Sequence, residues 1–195
     1  MIELKNLSLS YGDKQVMENF SITLPKEGII GFTGPSGCGK TSLLRRLAGL
    51  QQSEGTVLGL DEKNTAFLFQ ENRLLPWRTV EQHITDVLPR DRREEAPCWL
   101  ALAELEGEDQ TLPAALSGGM ARRLAVARCA ALGGEMLLLD EPFTGVDTGR
   151  AVRMLTAIRE LGTPVILVSH EEPVLAMCDR VYTFDGPPLR LISQR

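Results

Sequence analysis

The chain has 195 residues, of which 43% are hydrophobic and 24% are charged, and its net charge is −5. That length suits a single domain with a substantial core, and no apolar run approaches the roughly 20 residues that a membrane-spanning helix needs. The excess of acidic over basic residues leaves no basic stripe to neutralise phosphates, so we expect no nucleic acid partner. The four cysteines form no Cys-x-x-Cys pair or Cys/His cluster, which argues against a zinc site or a disulfide framework.

Polar and apolar residues alternate along the first 25 positions, a pattern typical of half-exposed antiparallel strands. Ile2 and Leu4 share one face, and the phase then shifts near Asn6, which predicts a β-bulge there. The alternation repeats in a second strand after Gly12 and Asp13. We therefore expect an antiparallel β-subdomain at the N-terminus.

Four later segments are continuously apolar, as expected of strands that are covered on both faces. They are residues 29–32, 66–69, 136–139 and 165–168. Helical patterns lie between them, at residues 41–50, at residues 117–132 and after Asp147, where Gly162 is expected to end the helix. Buried strands that alternate with helices predict an α/β core with a mainly parallel sheet.

The middle of the chain, about residues 73–116, contains no convincing strand. Thr79 and Gln82 fit a capping box at the start of a helix that Pro89 would stop. A second helix would begin at Pro97 and end at Gly107. We predict one domain over residues 1–195, with a helical insert at about 73–116 between core segments of about 1–72 and 117–195.

One loop matches the phosphate-binding pattern G-x-x-x-x-G-K-[ST] without a deviation, and it lies between a predicted buried strand and a predicted helix. Its residues are Gly34, Pro35, Ser36, Gly37, Cys38, Gly39, Lys40 and Thr41. Glycines allow backbone N–H groups to point at a triphosphate, and the helix N-terminus adds positive potential. Lys40 is placed to neutralise the β- and γ-phosphates, Thr41 offers a hydroxyl to Mg²⁺, and Ser42 adds a phosphate contact.

Polar side chains follow three of the predicted buried strands, where residues face a ligand crevice. Asp140 and Glu141 end the strand at 136–139, which suggests a Mg²⁺ ligand and a general base for an attacking water, respectively. Gln70 follows the strand at 66–69 and is expected to reach Mg²⁺ or the attacking water. His170 follows the strand at 165–168 and suits a γ-phosphate contact, whereas His83 in the insert is interpreted as a solvated or packing histidine.

The tetrapeptide Leu116-Ser117-Gly118-Gly119 opens a further predicted helix. A simple N-cap by Ser117 explains part of it, and a helix N-terminus also binds anions. In this order, the phosphate loop, Gln70, this tetrapeptide, the Asp140-Glu141 pair and His170 resemble the ATP-binding cassette (ABC) ATPases. The resemblance runs from Leu4 to about Ile192 and implies a P-loop NTPase (RecA-like) core that uses ATP and Mg²⁺.

The resemblance also implies a second copy as partner. In this family two copies pair head to tail, and each ATP lies between one phosphate loop and the other copy's signature helix, here Ser117, Gly118 and Gly119. Tyr11 matches the aromatic residue that stacks on adenine, although an ordinary strand-face tyrosine is the alternative. Asp147 matches the loop that couples the two sites and is also a plausible helix N-cap.

Residues 69–80 are similar to the corresponding stretch of bacterial importer ATPases, above all the group serving nitrate, sulfonates, taurine or thiamine-related compounds. In importers this region and the insert form a groove for a helix of the membrane permease, and a cluster from Leu74 to Trp77 fits that role. The alternative is that Trp77 packs within the insert. The resemblance implies a cytoplasmic ATPase held on the inner face of the membrane by its permease, with a solute-binding protein as an indirect partner.

Two departures from the family pattern stand out. Met120 and Ala121 replace the usual Gln and basic residue after the signature, and residues 144–147 differ from the usual Ser-Ala-Leu-Asp. A soluble ABC ATPase of DNA repair, Fe–S assembly or translation and an exporter ATPase remain alternatives to the importer. A nucleotide-binding regulator without hydrolysis would have no need of a base at Glu141.

Overall fold

The computed structural model describes all residues, 1–195. The strands are β1 (Ile2–Tyr11), β2 (Lys14–Leu24), β3 (Ile29–Thr33), β4 (Glu54–Leu58), β5 (Thr65–Leu68), β6 (Met136–Asp140), β7 (Val165–Val168), β8 (Arg180–Asp185) and β9 (Arg190–Gln194). The helices are α1 (Lys40–Leu47), α2 (Val80–Thr85), α3 (Ala96–Leu102), α4 (Gly118–Leu132), α5 (Thr148–Glu160) and α6 (Glu172–Leu175). No helix is both long and apolar enough to span a membrane.

The strands form two sheets. A three-stranded antiparallel sheet has the order β2-β1-β4, and a six-stranded sheet has the order β5-β6-β7-β3-β8-β9. All neighbours in the larger sheet are parallel except the edge pair β8 and β9. The predicted fold class, a mainly parallel α/β core with an N-terminal antiparallel unit, is therefore confirmed.

The predicted bulge lies at Asn6. The pairing of β1 with β2 shifts register between Leu4 and Leu7, and Asn6 has a φ of 52°. Its backbone N–H leaves the strand ladder and donates to Ser21 Oγ at 2.9 Å. The phase shift in the sequence thus marks a real extra residue in the strand.

All four continuously apolar segments form strands of the larger sheet, whose central strands β3, β6 and β7 are buried on both faces. Along β6, Leu137 and Leu139 belong to a hydrophobic cluster with α4, α5 and the insert, whereas Met136 and Leu138 belong to a cluster with β1, β2 and α1. Because successive side chains of a strand point to opposite faces, a strand covered on both faces, such as β6, must be apolar throughout.

Three predicted helix ends are wrong. The helix predicted over residues 41–50 ends at Leu47, since Gly49 takes a φ of 67° and Leu50 N–H bonds back to Arg45 O at 2.9 Å. The helix begun at Pro97 ends at Leu102 rather than Gly107, because Glu104 takes a φ of 50° in the same type of terminating turn. The helix expected to run to Pro89 ends at Thr85.

The remaining helix predictions hold. Thr79 and Gln82 form the predicted capping box of α2, and no strand occurs between residues 73 and 116. Gly162, with a φ of 73°, follows the end of α5. Strands β4, β8 and β9 and the short helix α6 were not predicted.

Candidate active site

The phosphate-loop sequence leaves β3 and enters α1 through a backbone that only glycine adopts readily. Gly34, Gly37 and Gly39 have φ values of 136°, 78° and 118°. A Cβ on Gly34 would lie 2.1 Å from the carbonyl oxygen of Phe184 on β8. The loop therefore needs its glycines for conformation and, at Gly34, for space.

The N-terminus of α1 is prepared for an anion. Gly39 provides no side-chain cap and the first turn contains no acidic residue, so the first N–H groups have no side-chain acceptor. Lys40 is 8% exposed, and its Nζ donates to the carbonyl oxygens of Gly34 at 2.7 Å and Pro35 at 2.8 Å. The ammonium group thus lies inside the loop and bonds to neutral carbonyl oxygens. A phosphate bound there would give it a charged partner instead.

Asp140 is the last residue of β6 and lies beside Thr41, which follows Lys40 in α1. Thr41 Oγ1 donates to Asp140 Oδ1 at 3.1 Å, while the buried Oδ2 of Asp140 has no hydrogen-bond partner. Burial raises the pKa of Asp140, and the Thr41 hydrogen bond opposes that change. A buried carboxylate oxygen without a partner is costly unless a cation or a proton occupies it.

These donors fit Mg²⁺, which prefers oxygen ligands and is held in proteins by one or two carboxylates together with substrate phosphates. Thr41, Gln70 and Asp140 line one cleft and supply a hydroxyl, an amide and a carboxylate. No group of three His, Cys, Asp or Glu side chains could hold a metal by itself. A hydroxyl, an amide and one carboxylate suit a metal that is also held by the phosphate oxygens of a nucleotide.

Glu141 follows Asp140 in a left-handed backbone conformation, with a φ of 49°. Its N–H donates to Val168 O at 3.1 Å, which fixes it against the end of β7. His170 lies just after β7, and its Nδ1 is 3.1 and 3.3 Å from the two carboxylate oxygens of Glu141. The fold thus joins the predicted base and the predicted γ-phosphate contact through a direct hydrogen bond.

Most of the predicted nucleotide-binding residues line this cleft, which has a volume of about 330 Å³. They are Tyr11, Ser36, Gly37, Gly39, Lys40, Thr41, Ser42, Gln70, Asp140 and Glu141. The Tyr11 hydroxyl donates to Gln51 Oε1 at 2.9 Å, and the side chain is half exposed at the cleft. Lys14 and Val16 also line it and were not predicted, although Lys14 pairs with Tyr11 across the hairpin.

The remaining predicted contacts are elsewhere. Ser117, Gly119 and Asp147 line a second cleft of about 360 Å³ together with Arg150. Ser117 Oγ accepts from Met120 N–H, and Asp147 Oδ1 accepts from Arg150 N–H, both at 3.2 Å, so each residue caps a helix. The two clefts share no lining residue.

Four predicted contacts line neither cleft directly: Gly34, Cys38, Gly118 and His170, the last of which reaches the first cleft through its hydrogen bond to Glu141. Gly34 supports the loop against β8, as described above. Cys38 is fully buried, and its Sγ accepts a weak hydrogen bond from Lys40 Nζ at 3.7 Å. Gly118 is the first residue of α4.

The segment after Gln70 presents apolar side chains to solvent. Trp77 is 70% exposed and Leu75 is 41% exposed, so the alternative that Trp77 packs within the insert is wrong. His83 is buried, as the packing interpretation required, and not solvated. Its Nε2 accepts from Leu75 N–H at 2.9 Å, its Nδ1 lies 2.8 Å from Thr79 O, and burial lowers its pKa.

A small groove of about 180 Å³ lies between residues 67–73 and the second half of α4. We call it the apolar groove, because most of its lining side chains are hydrophobic: Phe67, Leu68, Phe69, Glu71, Asn72, Arg73, Val87, Ala125, Arg128, Cys129 and Leu132. The burial of Cys129 raises the pKa of its thiol to about 12, so it behaves as an apolar group there.

Comparison with known proteins agrees with this geometry. The family described as "ABC transporter" matches residues 17–144. The aliphatic sulfonates import ATP-binding protein SsuB 1 of Shouchella clausii is 36% identical over 191 residues, covering 95% of this chain and 77% of that protein. The protein of the same name from Pseudomonas savastanoi pv. phaseolicola is 38% identical over 197 residues, covering 95% and 81%.

Two solved structures of dimeric ATP-binding cassettes share the fold. One, bound to ADP and phosphate in a post-hydrolysis state, superposes with a TM-score of 0.83 at 24% identity and covers 100% of this chain and 98% of its own. The other, a bacterial ABC transporter cassette, gives a TM-score of 0.85 at 24% identity with the same coverage. The chain folds as a P-loop ATPase of the ATP-binding cassette type. It belongs to the ABC transporter family and is an ATP-hydrolysing subunit of the importer type, as the sequence predicted.

Proposed function

We propose that two copies of this chain close head to tail on two ATP molecules, and that binding and hydrolysis of ATP drive an importer of aliphatic sulfonates. The observation that carries the dimer is the separation of the two clefts. Phosphate-loop residues line one and signature residues line the other, with no residue in common. A single copy therefore presents two half-sites, and a second copy completes both.

Within each composite site, the residues have distinct tasks. The phosphate loop and Lys40 hold the triphosphate, Tyr11 stacks on adenine, and Ser42 adds a phosphate contact. Ser117 and Gly119 of the second copy contact the γ-phosphate, Gly118 lies between them in the signature, and Asp147 lines the same cleft. Glu141 accepts a proton from the attacking water, while His170 and Gln70 orient the γ-phosphate and that water.

Thr41, Gln70 and Asp140 would hold Mg²⁺. The partnerless Oδ2 of Asp140 and the Thr41 hydroxyl beside it support this assignment. Bound with the nucleotide, Mg²⁺ would supply positive charge that neutralises the phosphate oxygens while the terminal phosphoryl group is transferred to water and ADP leaves. The chain's own contribution is to place Asp140 at the end of a rigid, buried strand.

The permease docks at Trp77 and at the hydrophobic side chains of the apolar groove, such as Phe67, Phe69 and Val87. An exposed tryptophan is the type of anchor that dominates protein interfaces. This contact would hold the subunit on the inner face of the membrane, with the solute-binding protein reached only through the permease. The proposed sulfonate cargo rests on the names of the relatives.

Glu141→Gln tests the hydrolytic role, since glutamine keeps the shape and cannot accept the proton. We expect turnover to fall by about 10²–10⁴-fold, while ATP binding persists and a dimer accumulates in size-exclusion chromatography. Glu172→Gln, which changes an exposed carboxylate two residues after His170, is the control and should hydrolyse ATP normally. Unchanged turnover in Glu141→Gln would remove Glu141 as the base.

A mixing experiment tests the head-to-tail arrangement. Lys40→Ala and Gly119→Asp should each be inactive alone. In a mixed dimer both defects fall in the same composite site and leave the other site intact, so ATPase activity should partly return on mixing. No recovery in mixtures shown to contain mixed dimers would contradict sites shared between copies.

Trp77→Ala tests the docking surface in membranes that contain the permease. We expect retention on the membranes to fall, with ATPase activity of the isolated subunit unchanged because Trp77 lies outside both clefts. Leu112→Ala, another exposed apolar residue of the insert, is the matched control. Equal retention of the two variants would place the permease contact elsewhere.

A further inference from the structure

A buried arginine on α4 connects the two loops that carry the catalytic side chains. Arg122 is 3% exposed and lies in a helix whose next residues, 124–127, are apolar and buried. Its guanidinium donates to six oxygens: Phe69 O (2.8 Å), Gln70 O (3.0 Å), Asn72 Oδ1 (3.2 Å), Asp140 O (2.6 Å), Glu141 O (2.8 Å) and Pro142 O (3.1 Å). Three belong to the loop after β5 and three to the end of β6 and the loop that follows.

All six acceptors are neutral oxygens. Burial lowers the pKa of Arg122, and the charges of Asp140 and Glu141 partly offset that effect from a distance. Burying a charge is expensive unless hydrogen bonds satisfy it, and an apolar side chain would fill the same space at lower cost. What an apolar side chain cannot do is hold two loops at a fixed separation through a planar set of donors.

The backbone held by this guanidinium is strained at the catalytic residue. A non-glycine residue in the left-handed region, such as Glu141 with a φ of 49°, costs about 1–3 kcal/mol and persists only when its surroundings fix it. Arg122 bonds to the carbonyls of Asp140, Glu141 and Pro142, which lie on both sides of that φ angle. Through Nη1 it also binds the carbonyl of Gln70.

We infer that Arg122 is a positioning residue for ATP hydrolysis: it sets the distance between Gln70 and Glu141 without touching the nucleotide. It lines neither cleft, so it acts only through the backbone of those two residues. The inference rests on the roles proposed above for Gln70, Asp140 and Glu141. A misplacement of about 1 Å at reacting groups can cost about 100-fold in rate, so a small shift of either loop is sufficient.

Arg128 provides a matched control on the same helix. It donates to Asn72 O at 2.9 Å and to Arg73 O at 3.0 Å, and burial lowers its pKa as well. It forms no bond to the loop after β6. Arg128→Gln therefore removes a partly buried guanidinium and an anchor of the first loop, but leaves the connection between Gln70 and Glu141 in place.

The test compares Arg122→Gln, Arg122→Lys and Arg128→Gln for kcat, for the dissociation constant of a fluorescent ATP analogue and for Tm. Glutamine and lysine lack the planar fork that reaches both loops, so kcat should fall about 10-fold or more in both Arg122 variants. The dissociation constant should stay within about 3-fold of wild type because the phosphate loop is untouched. Arg128→Gln should lower Tm but keep kcat within about 3-fold of wild type.

A purely structural role would lower Tm in all three variants and leave kcat the same in all of them, and that result would overturn the inference. An Arg122→Lys protein with wild-type kcat would overturn it too, and this variant decides the question if Arg122→Gln does not fold. Full turnover in Glu141→Gln would instead refute the proposed general base, whatever the Arg122 variants show. The two failures are therefore distinguishable.

Discussion

Protonation of His83 should loosen the segment that presents Trp77. His83 Nε2 accepts a hydrogen bond from Leu75 N–H, and a protonated imidazole cannot accept one. Burial lowers the pKa of His83 below its ordinary 6.5, although Thr79 O and Asp86 favour the charged form while Arg128 and Arg78 oppose it. Since the folded pKa is the lower one, the unfolded chain binds the proton first. Stability is therefore complete above about pH 6.5 and declines as the pH falls below that value.

The size of the effect follows from linkage for one proton. For a group with an unfolded pKa of about 6.5, linkage limits the loss of unfolding free energy between pH 7.5 and 5.5 to about 1.4 kcal/mol. Urea unfolding at several pH values measures this change. His83→Gln keeps an oxygen acceptor for Leu75 N–H and does not titrate, so this part of the pH dependence should disappear.

The comparison between wild type and His83→Gln removes the contributions of other groups that titrate in both proteins, such as Asp140, whose pKa is raised by burial. Equal slopes of unfolding free energy against pH in the two proteins, between pH 7.5 and 5.5, would refute the account of His83.

Three further outcomes follow from the structure. Thr79→Ala removes the capping box of α2 and should lower the free energy of unfolding by about 1 kcal/mol in urea titrations, with kcat unchanged. Gly34→Ala should abolish nucleotide binding or folding, because its Cβ would lie 2.1 Å from Phe184 O; normal binding of a fluorescent ATP analogue would contradict the loop geometry. In native protein a thiol reagent should modify Cys98 rapidly and Cys129 and Cys178 slowly. Cys98 is exposed, whereas burial raises the pKa of the other two thiols to about 12. Mass spectrometry of the labelled peptides measures the difference in rate.

The elements that the sequence predicts are strands buried on both faces, which read as apolar runs, and helices whose ends carry a capping residue or a glycine. Strands β3, β6 and β7 appear as apolar runs because helices or the second sheet cover both of their faces. By contrast, every residue of β9 is exposed and β4 is nearly so, which leaves hydropathy nothing to detect. The end of α3 was missed because a glutamate, rather than a glycine, takes the left-handed conformation.

The candidate site was predictable as a set of residues but not as an arrangement. The loop 34–41 and the Asp140-Glu141 pair follow from spacing and from position at strand ends. The contact between Thr41 and Asp140, 99 residues apart, and the division of the predicted contacts between two clefts required the tertiary structure. Arg122 escaped notice because an arginine in a helix is ordinarily solvated, and only the fold shows that it is buried.

These arrangements meet in α4. The helix begins beside the second cleft, where Ser117 caps it, and five residues later Arg122 holds the loops of the first cleft. At a rise of about 1.5 Å per residue, the two positions lie about 7.5 Å apart along one helix. A helical turn is too stiff for its two ends to move independently. One helix therefore carries both the start of the second cleft, which we propose a second copy completes, and the arginine that holds the backbone of Gln70 and Glu141. In the proposed dimer, a shift of α4 caused by the second copy would reach both.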